Sequence, residues 1–172
     1  MITLAVDELI IVNPFNSQHL EYIKQCELNN EITRKIHSYM KKIEKMTEQD
    51  YKLLRQNANE IEETLLLLKD NQIKDSCYLE GEKDRKVCSV TFSSMNGKQR
   101  NRKLLSYATS YAFDVLGMED IFVKINNKDK NMIEILENQG FENLGEEKSD
   151  IIYLKENEQI KDNKGTYHEN NR

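Results

Sequence analysis

The chain has 172 residues, 38% of them hydrophobic and 32% charged, with a net charge of -5. That length fits one domain with a real core, and the acidic balance argues against general nucleic-acid binding. One proline and six glycines exclude a turn-rich β-sandwich and favour long regular elements.

In chain order, Leu9–Val12 reads as a first strand, ended by Asn13-Pro14. Ser17 is placed to cap a short helix carrying Leu20, Ile23 and Cys26 or Glu27. Asn30 is placed to cap a second, with Ile32, Ile36, Tyr39 or Met40, and Ile43 on one face. Thr47 followed by Asp50 forms a capping-box pattern, with Asp for the usual Glu. It opens a third helix expected to bury Tyr51, Leu54, Ala58 and Ile61.

Composition then turns to strands. Thr64–Lys69, Ile73–Glu80 and Lys86–Phe92 are separated by Asp70-Asn71 and by Gly81–Asp84. Separators that short predict an antiparallel meander. The loop 96–103 (NGKQRNRK) has no apolar side chain, and a helical pattern runs from Leu104 to Gly117. IFVKI (121–125) follows as a strand, then NMIEILENQGF (131–141) as a helix closed by Gly-Phe. A strand, loop, helix and strand of this length make a crossover whose strands pair in parallel. Its loop brings backbone N–H groups to the positive end of a helix, where a phosphate can sit. Glu142–Leu144 and Asp150–Lys155 are two last strands. The order places the chain in the mixed α/β (α+β) class, as one domain over 1–156. The polar tail 157–172 is expected to be disordered.

Cys26, Cys77 and Cys88, like His19, His37 and His168, are scattered. They predict free thiols and no metal site. With no apolar run longer than a strand and no leader-like start, a cytoplasmic protein away from membranes is expected.

The segments KLLSYATSYAFDVLGMEDIFVKI and NMIEILENQGFENLG, with this element order, resemble the GNAT superfamily of acyl-CoA N-acyltransferases. Within it they resemble most the subgroup that acetylates ribosomal-protein N-termini. The resemblance implies a mainly antiparallel sheet with one parallel β-α-β crossover and flanking helices. It implies acetyl transfer from acetyl-CoA, as cosubstrate and without a metal, to an amine of a small molecule or a protein.

The same resemblance assigns cofactor contacts to Phe92, Ser93 and Ser94 at the end of the fourth strand. Further contacts fall on Gly97, Lys98, Gln99, Arg100, Asn101, Arg102 and Lys103 in the loop, and on Asp129 and Asn131 at the last helix. The sequence departs from the family's loop: Gln99 and Asn101 stand where small residues, usually glycine, are expected. Glycine there lets main chain approach a pyrophosphate; the loop's Lys and Arg side chains supply attraction but not that approach, and as a plain alternative form a solvated charged loop. The tyrosine that serves many members as general acid falls at Leu136.

The attacking amine must lose a proton to a base. Glu80 is the candidate, weighed against a solvated hairpin charge, the commoner situation of a glutamate. Cys88 reads as a buried thiol rather than a nucleophile, and Tyr107 and Tyr111 as core packing. Two other readings stay open: a GNAT-fold module that has lost catalysis and binds or regulates, and a domain serving to form a homodimer.

Overall fold

The computed structural model describes residues 7–25, 34, 38, 40–92 and 102–161. A seven-stranded sheet forms its centre. The strands are β1 (Asp7–Ile11), β2 (Glu60–Lys69), β3 (Gln72–Glu82), β4 (Val87–Phe92), β5 (Asp120–Asn126), β6 (Glu142–Glu147) and β7 (Asp150–Glu156). They lie in the order β1-β2-β3-β4-β5-β7-β6. Only β4–β5 is parallel; the other pairs are antiparallel. The helices are α1 (Ser17–Gln25), α2 (Glu48–Asn57), α3 (Arg102–Ser110) and α4 (Lys130–Asn138). The α+β class with one crossover is as the sequence predicts. The Asn30-capped helix falls mostly outside the described residues, although 40–43 are helical.

Alternation along the strands gives the sheet two apolar faces. Leu65, Leu67, Cys77, Leu79, Val90, Ile121 and Val123 point to the first. There the crossover helix α3 lays down Leu104, Leu105 and Ala108, and α4 adds Met132, Ile135 and Leu136. The side chains half a period away, Leu66 and Leu68, point to the second face and pack against Tyr22 of α1.

The local signals act as their chemistry requires, with corrections. Asp70 and Asn71 both take positive φ (53° and 58°), as a two-residue hairpin turn of the primed kind requires. Thr47 and Asp50 close a reciprocal capping box. Helix α4 ends in a Schellman motif: Phe141 N donates to Leu136 O (3.0 Å), Gly140 N to Glu137 O (3.1 Å), and Gly140 has φ 81°. The cap of α1 is Asn16 rather than Ser17, its Oδ1 accepting from Gln18 N and His19 N at 3.0 and 3.2 Å. Helix α2 has no buried residue. Leu54 is exposed, Tyr51 and Ala58 are half-buried, and Ile61 is buried as part of β2. Gly81 belongs to β3, and the turn runs over 83–86. The pattern from Leu104 to Gly117 is α-helix only to Ser110; a π turn, Tyr111–Val115, follows, with Leu116 N donating to Tyr111 O (3.0 Å). Beyond β7 a helical turn covers 158–161, and the rest of the tail lies outside the described residues.

Candidate active site at the opening of the sheet

The ladder between β4 and β5 stops early. Its pairs run from Val87↔Asp120 to Val90↔Val123. Yet β4 continues through Thr91 and Phe92, paired there only to β3, and β5 continues through Lys124, Ile125 and Asn126, paired there to β7. The strands therefore diverge, and the sheet opens at the carboxyl ends of its parallel pair. In open α/β sheets such a switch point receives ligands. The main-chain groups of residues 91–92 and 124–126 that face the gap take no part in the β4–β5 ladder.

Both helices of the first face begin at this end: α3 at Arg102, ten residues after β4, and α4 just beyond β5. The start of α3 is tied to the middle and the C-terminal cap of α4. The Arg102 guanidinium meets Glu134 Oε1 at 3.1 Å, and Gln139 Nε2 donates to Arg102 O at 2.9 Å. Arg102 and Lys103 open α3, with Arg102 already engaged by a carboxylate. Asp129 caps α4, its Oδ1 accepting from Met132 N (3.1 Å), and Asn131 lies in the first turn. Phe92 packs against the first-face core. Phe92 at the end of β4 and Asp129 and Asn131 just beyond β5 lie at the carboxyl ends of the parallel pair. Ser93, Ser94, Gly97, Lys98, Gln99, Arg100 and Asn101 lie outside the described residues. Leu136 is wholly buried in the core, so its position offers no group to the opening.

Glu80 is on the second face, in register with Glu62 of β2 and Ser89 of β4. It sits two residues back from Tyr78, about 7 Å along the strand. Tyr78 lies opposite Thr91, the first β4 residue past the ladder with β5. Glu62, Thr64 and Tyr78 form the floor of a small cleft of about 30 Å³. Val12, Pro14, Leu20, Ile23, Met40 and Tyr51 wall it. Glu62 also meets Arg55 at 3.8 Å. Sequence reasoning missed this floor, having started β2 at Thr64; an earlier start at Glu60 puts Glu62 and Thr64 on one face by period two.

On the first face Glu63 is pressed between strands and the π turn. Burial pushes its carboxyl above the usual range, opposed by the Arg55 and Lys83 charges. Tyr111 is pushed up to about 12 by burial and by Glu63. The Cys88 thiol, 1% exposed, is also pushed up to about 12 by burial, which makes it the inert thiol the sequence predicts. Tyr111 packs on the core as expected, but Tyr107 is exposed. Among the described residues no group of three or more His, Cys, Asp or Glu side chains is placed to hold a metal, and no helix is long and apolar enough to cross a membrane.

No protein-family model matches the chain, and no curated protein does. Solved structures do. The Campylobacter jejuni N-acetyltransferase PseH in complex with acetyl coenzyme A is 16% identical, aligned over 88% of this chain and 99% of its own, with a TM-score of 0.59. The spermidine/spermine N-acetyltransferase SpeG from Vibrio cholerae is 10% identical over 92% and 99%, with a TM-score of 0.60. The ribosomal-protein-S5-alanine acetyltransferase from Vibrio fischeri is 16% identical over 63% and 69%, with a TM-score of 0.52. The chain therefore has the GNAT fold, the fold of the acyl-CoA N-acyltransferases. At these identities the likeness is one of fold.

Proposed function

We propose that this protein is an N-acetyltransferase that moves an acetyl group from acetyl-CoA to an amine. The observation that carries this reading is the opening between β4 and β5, with two helix starts at its rim. A pantetheine arm bears peptide-like amides, and an internal sheet edge offers the alternating donors and acceptors that such amides need. The diphosphate then falls toward the start of α3, where helix N–H groups and Lys103 favour negative charge. The thioester carbonyl lies beside the end of β4, and a main-chain N–H near Thr91 or Phe92 stabilises its developing negative oxygen. The amine nitrogen bonds to the carbonyl carbon, the carbon–sulfur bond breaks, and the sulfur leaves as thiolate, to be protonated from solvent. The ammonium proton goes to Glu80 through water, since the carboxylate stands back from the opening.

Acetyl-CoA titrated by calorimetry tests the reading, together with release of free CoA thiol when amine is added. Binding followed by amine-dependent thiol release is expected. No heat and no acetyl-CoA-dependent shift in melting temperature would refute it. A second reading has its own support: Gln99 and Asn101 replace the loop's small residues, and Arg102 is held by Glu134. Both suit a module that holds a CoA compound without turnover. The double variant Gln99→Gly/Asn101→Gly separates the two. Turnover that appears only in the variant identifies a degenerate module; equal turnover in both proteins identifies the enzyme.

A further inference from the structure

We infer that a groove on the second face of β3, β4 and β5 takes a primary amine joined by a short arm to a flat aromatic ring, which rests on the acetyltransferase reading above. The groove holds about 190 Å³ and is lined by Glu80, Glu82, Arg85, Val87, Ser89 and Phe122. Its position follows from the ladders. Ser89 lies opposite Glu80 on β3 and opposite Phe122 on β5, so carboxylate, hydroxyl and ring form one row across three strands. Thr91 is two residues beyond Ser89 on the same face, about 7 Å along the strand, just past the last pair of the β4–β5 ladder. A ligand lying in the groove therefore presents its near end to the gap where the thioester would lie.

The lining sets the chemistry of the ligand. Ser89 is the short side chain of its row, and the hollow above it is bounded by Glu80 on one side and by half-buried Phe122 on the other. Two strand spacings, about 9–10 Å, separate the main chains that carry them. Phe122 and Val87 make the apolar wall. An aromatic ring laid against Phe122 gains more than its buried area alone. Charge lies on the other side. Glu82 is answered by Arg85 at 3.2 Å, so the end of the groove away from the gap carries no net charge. Glu80 stands toward the gap. Its carboxylate has about four lone-pair sites, and it accepts an ammonium beside the interaction it already makes. The same carboxylate is the proton acceptor of the proposed reaction, so recognition and deprotonation of the amine meet at one group. A second ammonium, or a body covered with hydroxyls, would lose its hydration against Phe122 and Val87. A cavity of roughly 150 Å³ encloses benzene, so a groove of about 190 Å³ has room for one ring and a short arm.

The test uses the full chain with acetyl-CoA and phenethylamine, cyclohexylethylamine or hexylamine, reading kcat/KM by CoA-thiol release. Phenethylamine should exceed cyclohexylethylamine, its saturated match in size, by about three- to tenfold. It should also exceed hexylamine, spermidine, glucosamine and a tripeptide with a free N-terminus. Phe122→Leu should abolish the preference for the flat ring. Ser89→Leu should fill the hollow and raise KM for phenethylamine. Both variants should bind acetyl-CoA as tightly as the wild type, which shows that the sheet is intact. Equal or better turnover of any of the competing amines, or acetyl-CoA binding with no turnover of phenethylamine, overturns the inference; turnover of another amine leaves the acetyltransferase reading standing. Calorimetry of the amines without acetyl-CoA keeps the two separable. If acetyl-CoA fails to bind, but phenethylamine binds more tightly than cyclohexylethylamine and Ser89→Leu removes that binding, the groove stands and the transferase reading falls. If phenethylamine does not bind in that case, both fall.

Discussion

Gly81 is where the frame of the site is most exposed to a single added carbon. It pairs with Cys88 across the β3–β4 ladder and with Ile61 across β2–β3. A Cβ built there lies 2.4 Å from Val87 O, 2.7 Å from Cys88 Cβ and 2.9 Å from Cys88 Cα. Two of these atoms are main chain, and the third is fixed directly to it, so no side-chain rotation clears them. Since non-bonded carbon contacts settle near 3.5–4.0 Å, β4 must retreat by about 1 Å. Overpacking costs about 1–3 kcal/mol, and unyielding backbone places Gly81→Ala at the upper end, about 3 kcal/mol. For a domain of this size each kcal/mol lowers Tm by about 2–4 °C, so a fall of about 6–12 °C is expected in thermal denaturation followed by circular dichroism. Gly140→Ala supplies the contrast. Gly140 has φ 81° with nothing within 4 Å of a built Cβ. Only left-handed strain acts there, about 1–2 kcal/mol for Ala and less for Asn. Because Thr91 lies three residues beyond Cys88 on the displaced strand, Gly81→Ala should also weaken acetyl-CoA binding, and Gly140→Ala should not. A Gly81→Ala protein melting within about 2 °C of wild type, or Gly81→Ser as stable as Gly81→Ala, would refute the reasoning.

Three further expectations follow from the same coordinates. Cys88, buried with its thiol pushed up to about 12, should resist alkylation at pH 8 in the native protein and react quickly in guanidinium. Peptide-level mass spectrometry reads this, and equal rates in the two conditions would contradict it. Thr47→Ala removes the side-chain half of the capping box, the Thr47 Oγ1 that accepts from Asp50 N, and should cost about 1 kcal/mol, with Thr47→Ser restoring most of it; urea unfolding of the three proteins decides. Glu63 titrates above the ordinary 4.5 when folded, so between that value and its folded pKa the native state holds a proton the unfolded state has lost. Its contribution is fully present below 4.5 and is lost as pH rises through the folded pKa, at up to about 1.4 kcal/mol per pH unit. Glu63→Gln should therefore gain stability relative to wild type from pH 4 to pH 8, and parallel stability-pH curves would count against the burial of that carboxyl.

The fold was legible where local chemistry and tertiary position agree. Asp70-Asn71 tolerates positive φ and stands between strand-forming runs, so the hairpin could be read directly. Gly140-Phe141 carries both halves of a helix stop. Misreadings arose where tertiary context overrides local pattern. Glu62-Glu63 looks too polar for a strand, yet one carboxylate lines a cleft near Arg55 and the other is half-buried near Tyr111 of the π turn. Leu54 looks like core, yet it is exposed. Ser17 and Asn16 are both cap formers one residue apart, and the pattern alone does not choose between them. The cleft was not legible because its lining is drawn from residues 12 to 78 across six separate segments. No spacing in the chain records that assembly.

The two parts of the proposed site are written in different materials, and this explains why one was foreseeable and the other was not. The opening is made by where ladders end: β4 and β5 part after Val90 and Val123 because each keeps its other neighbour, β3 or β7. Main-chain groups supply the contacts there, so side chains can change almost freely while the fold is kept. Structures 10–16% identical to this chain share that fold. The groove is made of side chains on the second face of β3, β4 and β5, and each of them is replaceable without disturbing the opening. On the acetyltransferase reading, the identity of the amine is therefore to be sought in this chain's own side chains, and not in the names of the proteins it resembles.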